Sequence, residues 1–149
     1  MIRKAAIKDI KQIQSLINTF AAQDSMLPRS LNELYDNIRD FWVGETAGKI
    51  TACCALHVCW EDLAEIKSLA VELKKQRKGL GTELVKTCVE EAKQLGAKKI
   101  FALTYKPEFF KKLGFRKVKH TDLPHKIWAE CINCPKFPNC QEIAVLKIL

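Results

Sequence analysis

Between Leu63 and Leu95 the chain passes from an apolar, strand-like run, Leu63 to Val71, through a basic loop into an amphipathic helix. The loop holds Gln76-Arg77-Lys78-Gly79-Leu80-Gly81, and the helix is marked by Leu80, Leu84, Val85, Cys88, Ala92 and Leu95, with Gly96 closing it. A strand that enters such a helix through a glycine-bearing turn must lay the helix back on a sheet. The helix start carries backbone N–H groups without helical partners and a partial positive charge, and glycines let an anion's oxygens reach them. Two glycines also weaken a helix start, which calls for a reason. The turn therefore reads as a cradle for paired phosphates. It is not a Walker loop, which ends in Gly-Lys-Ser/Thr, nor a dinucleotide fingerprint, which places three glycines directly after the first strand.

The remaining segments extend this unit into a larger sheet. Residues 2–7 predict a strand, and Ile10, Ile13, Ile17 and Phe20 recur at helical spacing. After Met26-Leu27-Pro28-Arg29, a short helix holds Leu31, Leu34, Tyr35 and Ile38. Two apolar runs flank Thr46-Ala47-Gly48, a hairpin signal. Lys99 to Thr104 predicts a strand, Pro107 to Leu113 a short helix, Gly114 the start of another strand, and Glu142 to Leu149 the last. The order β-α-α-β-β-β-α-β-α-β-β implies one α/β domain over 1–149, a mixed central sheet with helices on its faces. A chain of 149 residues fits the roughly 100–200 residues of one domain. It can bury on the order of 70% of its unfolded surface without disulfides or metals.

Charge narrows the partners. The net charge of +8 favours anions, whether nucleic acid, an acidic membrane or a phosphorylated or carboxylate ligand. Aromatics are only 8%, and the one basic cluster, Lys74, Lys75, Arg77 and Lys78, has no interleaved stacking rings, so nucleic acid is disfavoured. The apolar stretches, such as Thr51–Val58, fall short of the about 18 residues that span a bilayer, and the first residues lack a charged-then-apolar leader. Of seven cysteines, Cys53, Cys54, Cys59 and Cys88 lie in apolar runs, which suits a reducing compartment. A cytoplasmic location and no membrane partner are the expectations.

Gln76-x-x-Gly79-x-Gly81 between a strand and a helix resembles the coenzyme A signature of the GNAT acetyltransferases. Ser68-Leu69-Ala70-Val71 before it and Phe110-x-x-Leu113-Gly114-Phe115 after it fall where that family places them. Met26-Leu27-Pro28-Arg29-Ser30, Trp60-Glu61-Asp62-Leu63-Ala64-Glu65-Ile66 and the tail Cys131-x-x-Cys134-Pro135-Lys136-Phe137-Pro138-x-Cys140 resemble the short stand-alone N-acetylglutamate synthases. The resemblance implies the GNAT fold, acetyl-CoA as co-substrate, and acetyl transfer to the α-amine of L-glutamate, the first step of arginine biosynthesis, by direct attack in a ternary complex. A GNAT acting on another small amine or a protein N-terminus is the alternative, as is an acyl-CoA-binding sensor without catalysis. A homodimer is compatible with either.

The resemblance also assigns roles. Glu65 is the candidate general base, against an ion pair with Lys67 or a cross-strand partner. Strict alternation puts Leu63, Glu65, Lys67, Leu69 and Val71 on one face unless a bulge resets it. The family carries a bulge here, whose released N–H groups around Leu69, Ala70 and Val71 would take the thioester carbonyl and the pantetheine arm. Gln76, Arg77, Lys78, Gly79, Leu80, Gly81 and Thr82 would hold the pyrophosphate, largely by backbone. Leu27 and Arg29, the latter fixed by Pro28, would contact the acceptor, the Arg29 fork taking a carboxylate as lysine cannot; Lys126 is a second carboxylate contact, and Ser68 would orient the amine. For both cations a surface salt bridge is the rival. Many GNATs place a tyrosine acid where this chain has Phe110; Tyr105 is the nearby substitute, and a leaving thiol with a pKa of about 8–9 needs little help. Cys131, Cys134 and Cys140, with His125 near, could bind zinc, oxidise or pack a proline-rich turn; no metal site is assigned.

Overall fold

The computed structural model describes residues 1–23, 26, 28–123 and 142–149. Its strands are β1 (Ile2–Lys4), β2 (Phe41–Thr46), β3 (Lys49–Trp60), β4 (Leu63–Val71), β5 (Lys99–Thr104), β6 (Arg116–Val118) and β7 (Ile143–Ile148). They form one seven-stranded sheet in the order β1-β2-β3-β4-β5-β7-β6. Neighbours run antiparallel except β4 and β5, whose parallel pairing follows from the crossover helix α3 (Leu80–Gln94) between them. The β2–β3 hairpin turns on Ala47 (φ 51°) and Gly48 (φ 78°), two successive left-handed residues whose twist matches the strands they join.

Two helix layers cover the sheet. Leu84, Val85, Cys88 and Ala92 of α3, with Phe110 of α4 (Pro107–Lys111), pack on Ala52, Cys54, Leu56, Ala64, Ile66, Ile100 and Ala102. On the opposite face Ile10, Ile13 and Ile17 of α1 (Ile10–Ala21) and Leu34 of α2 (Leu31–Asp36) pack on Phe41, Val43, Cys53, Ala55 and Ala70. Each such buried aliphatic side chain contributes about 1.5–3 kcal/mol. A third cluster, Cys59, Leu63, Phe101, Leu123, Ala144 and Leu146, lies beyond, and the residues between it and the α1 cluster along β3 and β4 are His57, Glu65 and Lys67. That polar band on an otherwise apolar face is where chemistry enters the fold.

Three boundaries differ from the sequence pattern. The first strand stops at Lys4, because the Asp9 carboxylate accepts the Ala6 N–H at 2.7 Å and turns the chain into a 3₁₀ turn, Ile7–Asp9, leaving Ile7 exposed. Arg3 grips the same carboxylate at 2.7 and 3.0 Å and holds it below the usual range. The helix from Pro107 ends at Lys111, and the last but one strand begins at Arg116, the chain turning at Gly114. Finally, β4 does not keep one alternation. Leu69 and Val71 join Ala64 and Ile66 against α3, while Ala70 faces α1. A bulge causes the switch.

Candidate active site

The bulge lies where β4 loses a neighbour. β5 pairs with β4 over Leu63–Ile66 only, Ile66 opposite Ala102. From Lys67 to Val71 the strand keeps β3 on one side, Lys67 opposite Ala55 and Ala70 opposite Cys53, and among the described residues has no strand on the other. Three steps along β4 match two along β3, so one residue is extra, and Ser68 sits there with φ 55°. A left-handed non-glycine residue costs about 1–2 kcal/mol, and the surroundings hold it in place. The Cys53 thiol donates to the Ser68 carbonyl at 3.4 Å; burial pushes that thiol up to about 12, so it stays a neutral donor. At the strand's end the Gln76 side-chain amide donates to the Val71 carbonyl at 3.0 Å, which ties the basic loop to the open edge.

The loop delivers α3's first turn to the same place. Gly79 caps the helix with φ 84°, and Glu83 N–H makes the first helical bond to its carbonyl at 2.9 Å, so the N–H groups of Leu80, Gly81 and Thr82 have no helical acceptor. A Cβ at Gly79 would meet nothing within 4 Å, so glycine stands there for its backbone angle. Arg77 is left-handed too, at 61°, and Arg77 and Lys78 are exposed beside the turn. Leu80 points its side chain into the space beside Gly44, leaving only its amide for the cradle. Gly81 lies against Val71 and Phe109, so the helix start abuts the end of the open strand edge.

On the α1 side of β4, a cavity of about 290 Å³ is lined by Arg29, Glu33, Asp40, His57, Lys67 and Ser68, among others. Arg29 is fixed by its backbone: its N–H donates to Asn18 Oδ1 at 3.3 Å and its carbonyl accepts from Gln14 Nε2 at 3.2 Å. Its Nη1 pairs with Glu33 Oε2 at 2.6 Å, while its Nε is buried with no partner. Ser30 Oγ caps α2 by accepting the Glu33 N–H at 3.1 Å. His57 Nδ1 meets Asp40 Oδ2 at 2.7 Å. Lys67 is half-buried and makes no salt bridge among the described residues. Glu65 is 7% exposed, two residues before Lys67 and directly across the ladder from His57.

The residues singled out in the sequence thus fall in two groups. Leu69, Ala70, Val71, Gln76 and Arg77 to Thr82 gather along the open edge and helix start; Arg29 and Ser68 line the cavity, while Glu65 does not line it and stands across the ladder from His57, which does. Tyr105 is exposed just past β5, three residues beyond Ala102, at the mouth of the split between β4 and β5. Phe110 is buried, ring to ring with Phe109 and Phe115 at 5.1 and 5.2 Å, and serves the core. Leu27, Lys126, His125, Cys131, Cys134 and Cys140 lie outside the described residues. Sequence reasoning passed over His57, Asp40 and the cavity side of Lys67. The period-two register of Cys53, Ala55, His57 and Cys59 could have put His57 on this face, but nothing local pairs it with Asp40.

A sheet split at β4, a bulge at the split and an amide-lined helix start beside it match a known acyltransferase architecture, and the acetyltransferase (GNAT) family pattern covers residues 7–115. The chain belongs to the GNAT family. An uncharacterized N-acetyltransferase of Chlorobaculum tepidum is 36% identical over 99% of this chain and 96% of its own length. The amino-acid acetyltransferase of Mycobacterium tuberculosis is 33% identical over 87% of this chain and 76% of its own. The crystal structure of N-acetylglutamate synthase from Neisseria gonorrhoeae with coenzyme A and N-acetyl-glutamate superposes with a TM-score of 0.92 at 28% identity, over 100% of this chain but 35% of that longer one. This GNAT chain is accordingly an acetyl-CoA-dependent acetyltransferase. Among its described residues no helix is long and apolar enough to cross a membrane.

Proposed function

We propose that this GNAT enzyme, acting as a single domain over 1–149, acetylates the α-amine of L-glutamate. The observation that carries the reading is Arg29. Its main chain is anchored by two hydrogen bonds to the Asn18 and Gln14 side chains, and its guanidinium keeps a buried Nε without partner and shares the cavity with Lys67. Two cations on opposite elements suit an amino acid with two carboxylates, and the planar fork suits one of them held at two points. Glu33, now on Nη1, is the group a substrate carboxylate would displace or share. The relatives named amino-acid acetyltransferase and N-acetylglutamate synthase support the same acceptor.

The chemistry follows from the two surfaces. Amides of Leu80, Gly81 and Thr82, with Arg77 and Lys78 outside them, take the pyrophosphate of acetyl-CoA; the edge Lys67–Val71 pairs with the pantetheine arm as an added strand would. An N–H freed by the bulge meets the thioester carbonyl and the negative charge that develops on it. Glu65, buried across the ladder from the cavity-lining His57, removes the ammonium proton, and the amine attacks in line. Tyr105 stands at the mouth of the split, where the thiolate leaves.

Glu33 and Asp40 would favour a cationic acceptor instead, but each already faces a base, Arg29 and His57. The test is an acceptor screen reading thiol release from acetyl-CoA. Release should require L-glutamate and fall sharply with aspartate or glutamine. Equal rates with all three would remove the dicarboxylate assignment, and thermal stabilisation by CoA with no turnover of any amine would leave a sensor.

A further inference from the structure

The reaction leaves a proton over. The acceptor enters as R–NH₃⁺ and leaves as R–NH–COCH₃: one C–N bond forms, one C–S bond breaks, nitrogen gives up two protons and the departing thiolate takes one. The other must reach water at every turnover. Glu65, the group that takes the ammonium proton in the reading above, is 7% exposed and poorly placed to hand it to bulk solvent.

Directly across the ladder stands His57. Facing residues of an antiparallel pair hold their Cβ atoms about 4.5–5.5 Å apart, which puts the imidazole within reach of the Glu65 carboxyl, directly or through one water. The imidazole lines the acceptor cavity and is also 35% exposed, so it touches both sides of the route. Asp40 sets its tautomer. An ionised carboxylate only accepts, so the 2.7 Å contact requires the hydrogen on Nδ1 and leaves the Nε2 lone pair to receive a proton. The same carboxylate then faces the imidazolium that forms. Lys67 on β4, with Arg29 before α2 and Glu33 within it, are the other charged groups lining the cavity.

We infer that His57, oriented by Asp40, is a proton-relay residue that carries the surplus proton from Glu65 to solvent. The Glu65 carboxyl gives its proton to Nε2, returns to carboxylate for the next cycle, and the imidazolium loses the proton to water at the cavity rim. Asp40 is a positioning residue in this scheme. The inference rests on Glu65 as base and holds for any amine the enzyme accepts.

The test is steady-state kinetics of His57→Ala in weakly basic buffer of low concentration, with and without added imidazole, on the amino acid that the acceptor screen selects. The relay predicts that kcat falls about 100-fold while both KM values stay within about threefold, and that free imidazole restores about tenfold or more. Asp40→Asn, which keeps the shape but not the negative charge, should lower kcat less and respond to imidazole too. His57→Gln is the second variant should the alanine protein unfold early. A kcat near wild type, or a loss that neither imidazole nor buffer concentration changes, overturns the relay. Failure of the glutamate assignment would show earlier, as a wild-type enzyme that prefers another amine.

Discussion

The two halves of β4 differ more than any two strands of the sheet. Leu63–Ile66 has β3 on one side and β5 on the other, with Leu63, Ala64 and Ile66 sealed in apolar clusters. Lys67–Val71 has β3 alone, holds a left-handed serine, and borders a cavity on one face and a glycine-started helix on the other. One half gives up all its hydrogen-bonding capacity to the fold. The other keeps the edge away from β3 without a strand among the described residues, and in the proposed reading the coenzyme takes that edge. A sheet can thus carry a binding edge in its interior, provided that a bulge and a crossover helix keep the neighbouring strand from closing over it.

The largest expected break comes at Glu65, the polar residue inside the closed half. Glu65→Gln keeps the shape and should lower kcat by about 10²–10⁴-fold with CoA affinity unchanged; an unchanged rate near neutral pH would dismiss Glu65 as base. Next comes Ile66→Ala, one residue on and 2% exposed, which should cost about 2–5 kcal/mol in denaturant unfolding while the folded fraction still binds CoA. Together these separate chemistry from scaffold within two adjacent positions. Arg29→Lys removes the fork but keeps the charge, and should raise the KM for glutamate about 10- to 100-fold and leave that for acetyl-CoA alone. Equal effects on the two constants would make Arg29 structural. Smallest is Gly79→Ala: with open space around the new methyl, only the backbone angle is penalised, by about 1–2 kcal/mol, visible as weaker CoA binding by calorimetry.

Much of the scaffold is legible in sequence because it is local. The amphipathic spacing of α3, the Ala47-Gly48 hairpin and the alternation of β7 each follow from residues a few positions apart. The helix start at Gly79 is legible for the same reason. The bulge is not. Leu69 and Val71 alternate with Glu65 on paper, and only the register against Cys53 and Ala55 moves them to the other face. The Arg29–Glu33 pair has the i,i+4 spacing of a helix, yet Ser30-x-x-Glu33 equally suggests a capping box, in which the Glu33 carboxylate would turn back to the Ser30 N–H rather than to Arg29. His57 and Asp40 are 17 residues apart, joined by tertiary packing that no local pattern encodes. The acceptor side of the site is therefore the part that a sequence shows least, since it is assembled from α2, β3 and β4 at once.

Amide hydrogen exchange with and without coenzyme A tests the division of β4 most directly. Lys67–Val71 and Leu80–Thr82 should gain protection on binding, with Leu63–Ile66 equally protected in both states. Protection gained elsewhere, or an open half already as slow as the closed half without ligand, would contradict it.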